Sequence, residues 1–234
     1  MTRPDGRALD ELRPVTLRRG VQEFPAGSVE IHVGRTVVLC AATVNEKVPG
    51  WMVGKGRGWV TAEYAMLPGA VSDRASRVPG GRAAEIQRLV GRSLRAAVDL
   101  AALGERTVTV DCDVVQADGG TRVASITGGC AALQLAFAKL QAAGKLARSP
   151  LIQPVAAVSC AVVGGEVVLD PCYAEDHVAA VDANFVVGAD GRFIEIQCTA
   201  EGAPFDDAAL GRMVALARKG TTELLAAVAA ALGR

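Results

Sequence analysis

The chain has 234 residues, of which 50% are hydrophobic and 21% charged, the composition of a globular protein with a core and not of a disordered one. Its 25 lysines and arginines balance its 25 aspartates and glutamates, which excludes a histone-like polycation, so any nucleic-acid binding must use cations gathered on one surface. Six scattered cysteines without a Cys-x-x-Cys pair, and only two histidines, argue against a disulfide framework and against an imidazole-rich metal site.

The sequence shows no targeting signal and no linker that would divide it into domains. The N-terminus is charged from its first residues and lacks the apolar segment of a signal peptide. We expect no stretch long and apolar enough to span a bilayer, and therefore a cytoplasmic protein without a membrane partner. Because no low-complexity linker interrupts the sequence, we expect a single domain over residues 1–234.

The apolar pattern predicts a series of strands after an irregular, charged leader at residues 1–14. Alternating apolar residues place strands at 28–33, 36–44, 59–66, 107–114, 154–163, 166–170, 181–187 and 193–199. Helical periodicity predicts helices from about 82 to 103, from the turn at 119–120 to about 140, and from 206 to 232. Short turns join most neighbouring strands, so the fold class is α+β, with mixed or antiparallel sheets covered by helices.

The stretch at residues 107–140 is a strand, a glycine turn and a helix, in which Ile126 and Phe137 are expected on a single apolar stripe. The turn holds Gly119 and Gly120, and Thr121 and Arg122 follow it. Backbone N–H groups at a helix start attract anions, and an arginine can hold two phosphate oxygens at once. Gly120, Thr121 and Arg122 therefore predict a phosphate site. A plain tight turn with a solvated arginine is the alternative.

Two further groups of charged residues are candidates for function. Arg88, Arg92 and Arg95 recur on the side of the first predicted helix opposite its apolar residues, which is typical of a solvated or subunit-contacting face, or of a row that binds RNA phosphates. Asp176 and Asp182 flank the start of a strand with apolar neighbours. Two such carboxylates suit Mg²⁺, or one of them can donate a proton; a structural carboxylate paired with an arginine is the alternative.

Several long motifs in order resemble those of the bacterial ribonuclease PH family. The motifs are RPDGR at 3–7, ELRP at 11–14, GWVTAEYAMLP at 58–68, EIQRLVGR at 85–92, QADGGTR at 116–122 and AED at 174–176. The resemblance covers nearly the whole chain. It implies a ribosomal protein S5 domain 2-like fold assembled as a homohexameric ring, a trimer of dimers.

The resemblance also implies an activity: phosphate-dependent 3′-to-5′ exoribonuclease and tRNA nucleotidyltransferase, acting on tRNA 3′ ends and rRNA precursors and releasing nucleoside 5′-diphosphates. Inorganic phosphate is then the co-substrate. A non-catalytic RNA-binding subunit of an exosome-like ring is the alternative. A kinase-type phosphate loop, G-x-x-x-x-G-K-[ST], does not occur in the sequence.

The family's functional residues fall on positions of this chain that match its motifs. Phosphate binding falls on Arg82 with Gly120, Thr121 and Arg122. The catalytic and metal-binding positions, with Mg²⁺ as the expected metal, are Asp176 and Asp182. Arg74 and Arg77 fall in the loop before the first predicted helix, which in this family helps to hold tRNA. The helical spacing, and not the resemblance, adds Arg88 and Arg92 as expected RNA-binding residues.

Overall fold

A computed structural model describes residues 2–233 of the chain. Its strands are β1 Val15–Arg19, β2 Gly27–Val33, β3 Thr36–Asn45, β4 Trp59–Met66, β5 Thr107–Gln116, β6 Val155–Val163, β7 Glu166–Leu169, β8 Val181–Gly188 and β9 Phe193–Ala200. Its helices are α1 Gly81–Ala96, α2 Leu100–Leu103, α3 Thr121–Ala142, α4 Tyr173–Asp176 and α5 Asp207–Leu232.

The strands form two sheets, one from each half of the chain. The first has the order β1-β2-β3-β5-β4, antiparallel except for the parallel pair β4 and β5, and the second has the order β7-β6-β8-β9 and is antiparallel throughout. A parallel pair needs a long crossover, and α1 with α2 supplies it between β4 and β5. The predicted α+β class with mixed sheets is confirmed, and the fold is of the ribosomal protein S5 domain 2-like type.

Several elements differ from the predictions, among them the end of α1 and the first strand. The helix expected from 82 to 103 ends at Ala96, because Val98 leaves the helix to form a bridge with Leu151. The Asp99 carboxylate then caps a new turn by accepting the N–H groups of Ala101 and Ala102. Strand β1 was not predicted; it adds an edge to the first sheet by pairing with β2.

Helix α3 is a core helix and not the amphipathic one expected. It packs on β2 and β3 of the first sheet and on β6 of the second, so residues on nearly all its sides are buried. A Cβ at Gly128 would lie 2.7 Å from the Ile31 side chain. Because glycine has no Cβ, the helix can approach the sheet closely at this position. By length and composition α3 could cross a membrane, contrary to the prediction, but 83% of the apolar window is buried inside the protein.

The N-terminal leader is irregular over residues 2–14, as expected, and it carries buried arginines that reach the second half of the chain. The Arg3 side chain is buried and donates to both carboxylate oxygens of Glu175, at 2.7 and 2.8 Å, and to the carbonyl of Asp170. Burial opposes ionisation of Glu175, but Arg3 and the N–H of Cys172 outweigh it and lower the pKa of the Glu175 carboxyl. The pair is therefore ionised at neutral pH.

A second buried ion pair lies beside the first. Arg13 donates to both carboxylate oxygens of Asp170, at 2.9 and 2.6 Å, and Arg7 lies 3.6 Å from the same carboxylate. Arg13 also donates to the carbonyl oxygens of Asp118 and Gly119 in the glycine turn. We name the residues Arg3, Arg7, Arg13, Asp170 and Glu175 the arginine clamp. It joins the leader, the glycine turn of the first half and the α4 turn of the second.

Removal of one charge from the arginine clamp should destabilise the protein strongly. Asp170 has a φ of 51°, which asparagine tolerates, so Asp170→Asn keeps the shape but leaves Arg13 buried without its counter-charge. We expect the free energy of unfolding, measured with urea, to fall by about 3–5 kcal/mol. The control Arg192→Ala breaks an exposed ion pair with Asp190 and should leave the unfolding midpoint nearly unchanged. Equal midpoints for the two variants would contradict a structural role for the clamp.

Candidate active site

A cleft of about 230 Å³ opens where the two halves of the chain meet. It brings together six residues that the sequence singled out, and they come from five separate elements or turns. These six are Arg82, Gly120, Thr121, Arg122, Asp176 and Asp182. Basic and acidic side chains thus share one concave surface.

The glycine turn forms one wall. Gly119 and Gly120 both have positive φ, 76° and 69°, and α3 begins directly after them at Thr121. A Cβ at Gly119 would lie 2.7 Å from the carbonyl oxygen of Pro171, so glycine also allows the close contact with the second half. Gly120 has no side chain with which to cap α3, and the N–H groups of the first helical turn lie beside the cleft. The wall can therefore bind an anion.

Residues that sequence reasoning did not single out hold this turn. The Thr36 hydroxyl accepts the N–H of Asp118 at 2.9 Å and donates to the carbonyl of Gly119 at 2.7 Å. Arg13 donates to the same two residues' carbonyls. Thr36 lies 82 residues before Asp118, so nothing local in the sequence links them. The turn is consequently fixed on both sides before any ligand binds.

Two arginines face the turn from different helices. Arg82 lies in the first turn of α1, and Arg122 in the first turn of α3. Within residues 2–233 the one ion pair of Arg122 is a long contact, 3.9 Å, with the exposed Glu85 carboxylate. The hydroxyl groups of Tyr64 and Thr121 are 2.8 Å apart, which ties the start of α3 to β4. The guanidinium groups can therefore act on a bound anion without first breaking a strong pair.

The two aspartates form the opposite wall. Asp182 lies in β8, where the Asn184 amide donates weakly to its carboxylate at 3.4 Å and the Ser159 hydroxyl in turn orients Asn184 at 2.8 Å. Burial raises the pKa of Asp176, and the charge of Asp182 raises it further, against the opposing effect of Arg82 and Arg122. Ser159 and Asn184 were missed in the sequence, because their polar side chains lie inside apolar strands.

A divalent cation suits this wall. Among residues 2–233 there is no group of three or more histidine, cysteine, aspartate or glutamate side chains that would form a protein-only metal site. Mg²⁺ commonly uses only one or two carboxylates and completes its shell with water and substrate phosphate. The carboxylates of Asp176 and Asp182, which both line the cleft, fit that donor set.

The other predicted RNA-binding residues lie outside the cleft. Arg74 and Arg77 are exposed in the loop before α1, and Arg77 lines an apolar recess that shares Arg82 and Met66 with the cleft. Arg88 is exposed on the far side of α1, whereas Arg92 is already paired through two contacts with Glu195.

The row of arginines on α1 is therefore not uniform. Arg95 stacks on the Trp59 ring, 4.1 Å from its centroid, and donates to the carbonyl of Val60. Arg92 joins the helix to β9 through Glu195, so two of the three side chains have structural partners. Only Arg88 keeps the solvated position that the helical spacing predicted.

Family models match both halves of the chain. Residues 11–138 match domain 1, and residues 153–220 match domain 2, of the 3′ exoribonuclease family called RNase PH. The first match ends at residue 138, near the end of α3, and the second begins at residue 153, just before β6. The largest apolar core includes residues of both halves, among them Ile31, Val110, Ala157 and Val186.

Full-length relatives carry the same family name. The chain is 52% identical to the ribonuclease PH of Roseobacter denitrificans over 98% of this chain and 99% of that one, and 52% identical to that of Synechococcus elongatus over 98% of both. The ribonuclease PH of Cereibacter sphaeroides is 50% identical over 99% and 100% of the two chains.

Solved structures share the fold at lower identity. Rice Rrp46 superposes with a TM-score of 0.79 at 21% identity, covering 97% of this chain and 98% of that one. A chain of the Archaeoglobus fulgidus exosome with RNA bound to the active site superposes with a TM-score of 0.82 at 23% identity, covering 95% and 91%. The resemblance inferred from the motifs is confirmed: this chain belongs to the ribonuclease PH family of 3′ exoribonucleases.

Proposed function

We propose that the cleft binds inorganic phosphate and uses it to remove nucleotides one at a time from the 3′ end of RNA. The protein is a phosphate-dependent 3′-to-5′ exoribonuclease, and in the reverse direction a nucleotidyltransferase. The observation that carries the proposal is the convergence of Arg82, Arg122, the glycine turn and two aspartates on one cleft. Its substrates are tRNA 3′ ends and rRNA precursors, and it works in the cytoplasm.

The reaction begins with two anions that repel each other. Arg82, Arg122 and the N–H groups at the start of α3 neutralise the bound phosphate and hold it for attack. A phosphate oxygen forms a bond to the phosphorus of the last linkage, and the bond from that phosphorus to the O3′ of the preceding nucleotide breaks. The product is a nucleoside 5′-diphosphate, and O3′ takes up a proton. Positioning and charge neutralisation are the main tasks of such a site.

Asp176 is suited to supply that proton. Its pKa is raised by burial and by Asp182, so it holds a proton more readily than an ordinary aspartate. Asp182, oriented through Asn184, remains the partner whose charge keeps the pKa of Asp176 high. In the alternative role, with both carboxylates ionised, Asp176 and Asp182 would hold Mg²⁺, which when bound supplies positive charge near the transferred phosphoryl group.

A non-catalytic RNA-binding subunit is not favoured. Such a subunit has no need for paired carboxylates beside two arginines and an open helix start, and this cleft has all of them.

RNA outside the cleft is held through its backbone by the exposed Arg74, Arg77 and Arg88, with Arg92 available only if it leaves Glu195. Binding is therefore sensitive to salt.

Phosphate should be required for turnover, and Arg122 should be required for the use of phosphate. RNA incubated with the protein should release nucleoside 5′-diphosphates with inorganic phosphate and not without it.

Arg122→Ala should lower the rate of nucleoside 5′-diphosphate release about 100- to 1000-fold, because it removes a charged donor from the transferred group. Its fold should be retained, since the ion pair that would be lost, with Glu85, is long at 3.9 Å. Arg148→Ala, an exposed arginine paired with Asp99, is the control. Unchanged turnover of Arg122→Ala would overturn the phosphate site.

Replacement of Asp182 should change the titration of its neighbour. Asp182→Asn removes a negative charge that opposes ionisation of Asp176, so the pKa of Asp176 should fall, although burial still holds it up. The carboxyl ¹³C shift of Asp176, followed by NMR against pH and assigned with Asp176→Asn, measures this change. An unaltered or raised pKa would show that the two carboxylates do not interact.

A homohexameric ring is the assembly we propose. It is supported by the likeness to chains of the archaeal exosome core and by the neutral net charge, since a ring gathers cleft arginines from several copies around one opening. Light scattering should then give a mass six times the 24.1 kDa of one chain. A monomer at working concentration would contradict this assembly.

A further inference from the structure

Tyr173 is a large aromatic residue that the fold does not bury. Its side chain lines the cleft beside Asp176, yet 62% of the residue is exposed. Its ring stacks on that of His177, one helical turn further on, with centroids 5.4 Å apart and planes 17° apart. The other aromatic groups near the centre are used differently: Phe137 and Phe185 fill the core, and Tyr64 contacts Thr121.

The stacked pair stands on a rigid support. The short helix α4 is capped by Glu175, whose carboxylate accepts the N–H of Cys172 at 2.9 Å and is held by Arg3 of the arginine clamp. The N–H of Tyr173 itself donates to Asp118, at the foot of the glycine turn, at 3.3 Å. The ring is therefore set at a fixed place on the rim of the site, next to the proposed proton donor. An exposed ring held in this way is available to a ligand.

We propose that the Tyr173 ring, backed by His177, is the surface on which the base of the 3′-terminal nucleotide stacks. This rests on the proposed function and adds to it the group that holds the nucleoside. Arg82, Arg122 and the aspartates can bind phosphate and the backbone, but none of them offers a flat apolar surface for a base. Every base has a π-face, so stacking holds all four alike, as an enzyme that trims successive nucleotides requires.

Paired RNA substrates separate stacking from a structural effect. One RNA ends in an ordinary nucleotide, and the other is identical except that its last ribose carries no base. For the wild-type protein, the missing base should raise KM about 5- to 100-fold. Tyr173→Ala should raise KM for the ordinary RNA by a similar factor and leave the baseless RNA nearly unaffected, so that the two RNAs become equivalent. Tyr173→Phe and Tyr173→Trp should keep the preference, and His177→Ala should weaken it.

Phe24→Ala is the matched control. Phe24 is 95% exposed but lies beside Lys139 and Leu140, at the end of α3 opposite the cleft, and its loss should change neither KM. If Tyr173→Ala impairs both RNAs by the same factor, Tyr173 supports the fold or a subunit contact, and the proposal is wrong. It is equally wrong if neither RNA is affected.

Equilibrium binding of the two RNAs without phosphate keeps this test separate from the proposed function. A wild-type preference for the ordinary RNA that Tyr173→Ala abolishes supports stacking even if no nucleoside diphosphate is released. Equal binding of both RNAs by the wild-type protein overturns stacking even if phosphorolysis occurs.

Discussion

The buried ion pairs of the arginine clamp are the interaction on which the site depends. Arg3 holds Glu175, Arg13 holds Asp170, and Arg13 also holds the carbonyl groups of the glycine turn. One side of the cleft comes from the start of α3 in the first half, and the other from α4 and β8 in the second half. Apolar packing alone would hold the halves together without fixing this register, because hydrophobic contacts are non-directional.

Buried charges are costly, so their use here requires a reason. Replacing a buried ion pair with apolar residues often stabilises a protein, which makes stability a weak explanation for the clamp. Directional hydrogen bonds, from the Arg13 guanidinium to the carbonyl of Asp118 and from the Tyr173 N–H to the Asp118 carboxylate, instead fix where the turn lies relative to α4. We infer that the clamp serves the geometry of the cleft, where a displacement of the phosphate or the aspartates of about 1 Å would cost much of the rate.

The cleft also explains how a chain with no net charge can handle two phosphates. Positive charge and helix N–H groups lie on one wall, and the two carboxylates lie on the other. In the proposed mechanism the first wall accepts the attacking anion, and on the second wall burial and the charge of Asp182 raise the pKa of Asp176, which favours its role as proton donor. The division of charge within the cleft therefore matters more than the total charge of the protein.

The sequence predicted most of the framework and part of the site. Strands such as β3 and β5 followed from simple alternation, and the glycine turn with Arg122 followed from residue chemistry. The burial of α3 on nearly all sides was not predicted, because it depends on where the second sheet packs. Gly128 and its small neighbours are the one feature of the sequence that indicates close packing there.

The residues that were missed have partners far away in the chain. Arg13 contacts Asp170 across 157 positions, and Thr36 contacts Asp118 across 82, so no local period predicts either contact. The end of α1 likewise depends on the bridge between Val98 and Leu151. Tyr173 was overlooked because a single aromatic residue outside a motif carries no signal until its exposure and its place beside the cleft are known.

The most direct test of the account is to follow the phosphate itself. The wild-type protein is incubated with RNA and ¹⁸O-labelled inorganic phosphate, and the released nucleotides are analysed by mass spectrometry. If phosphate attacks the RNA, the nucleoside 5′-diphosphates released will carry the label in their terminal phosphoryl group. Nucleoside 5′-monophosphates formed without the label would mean that water and not phosphate attacks, and would contradict the account.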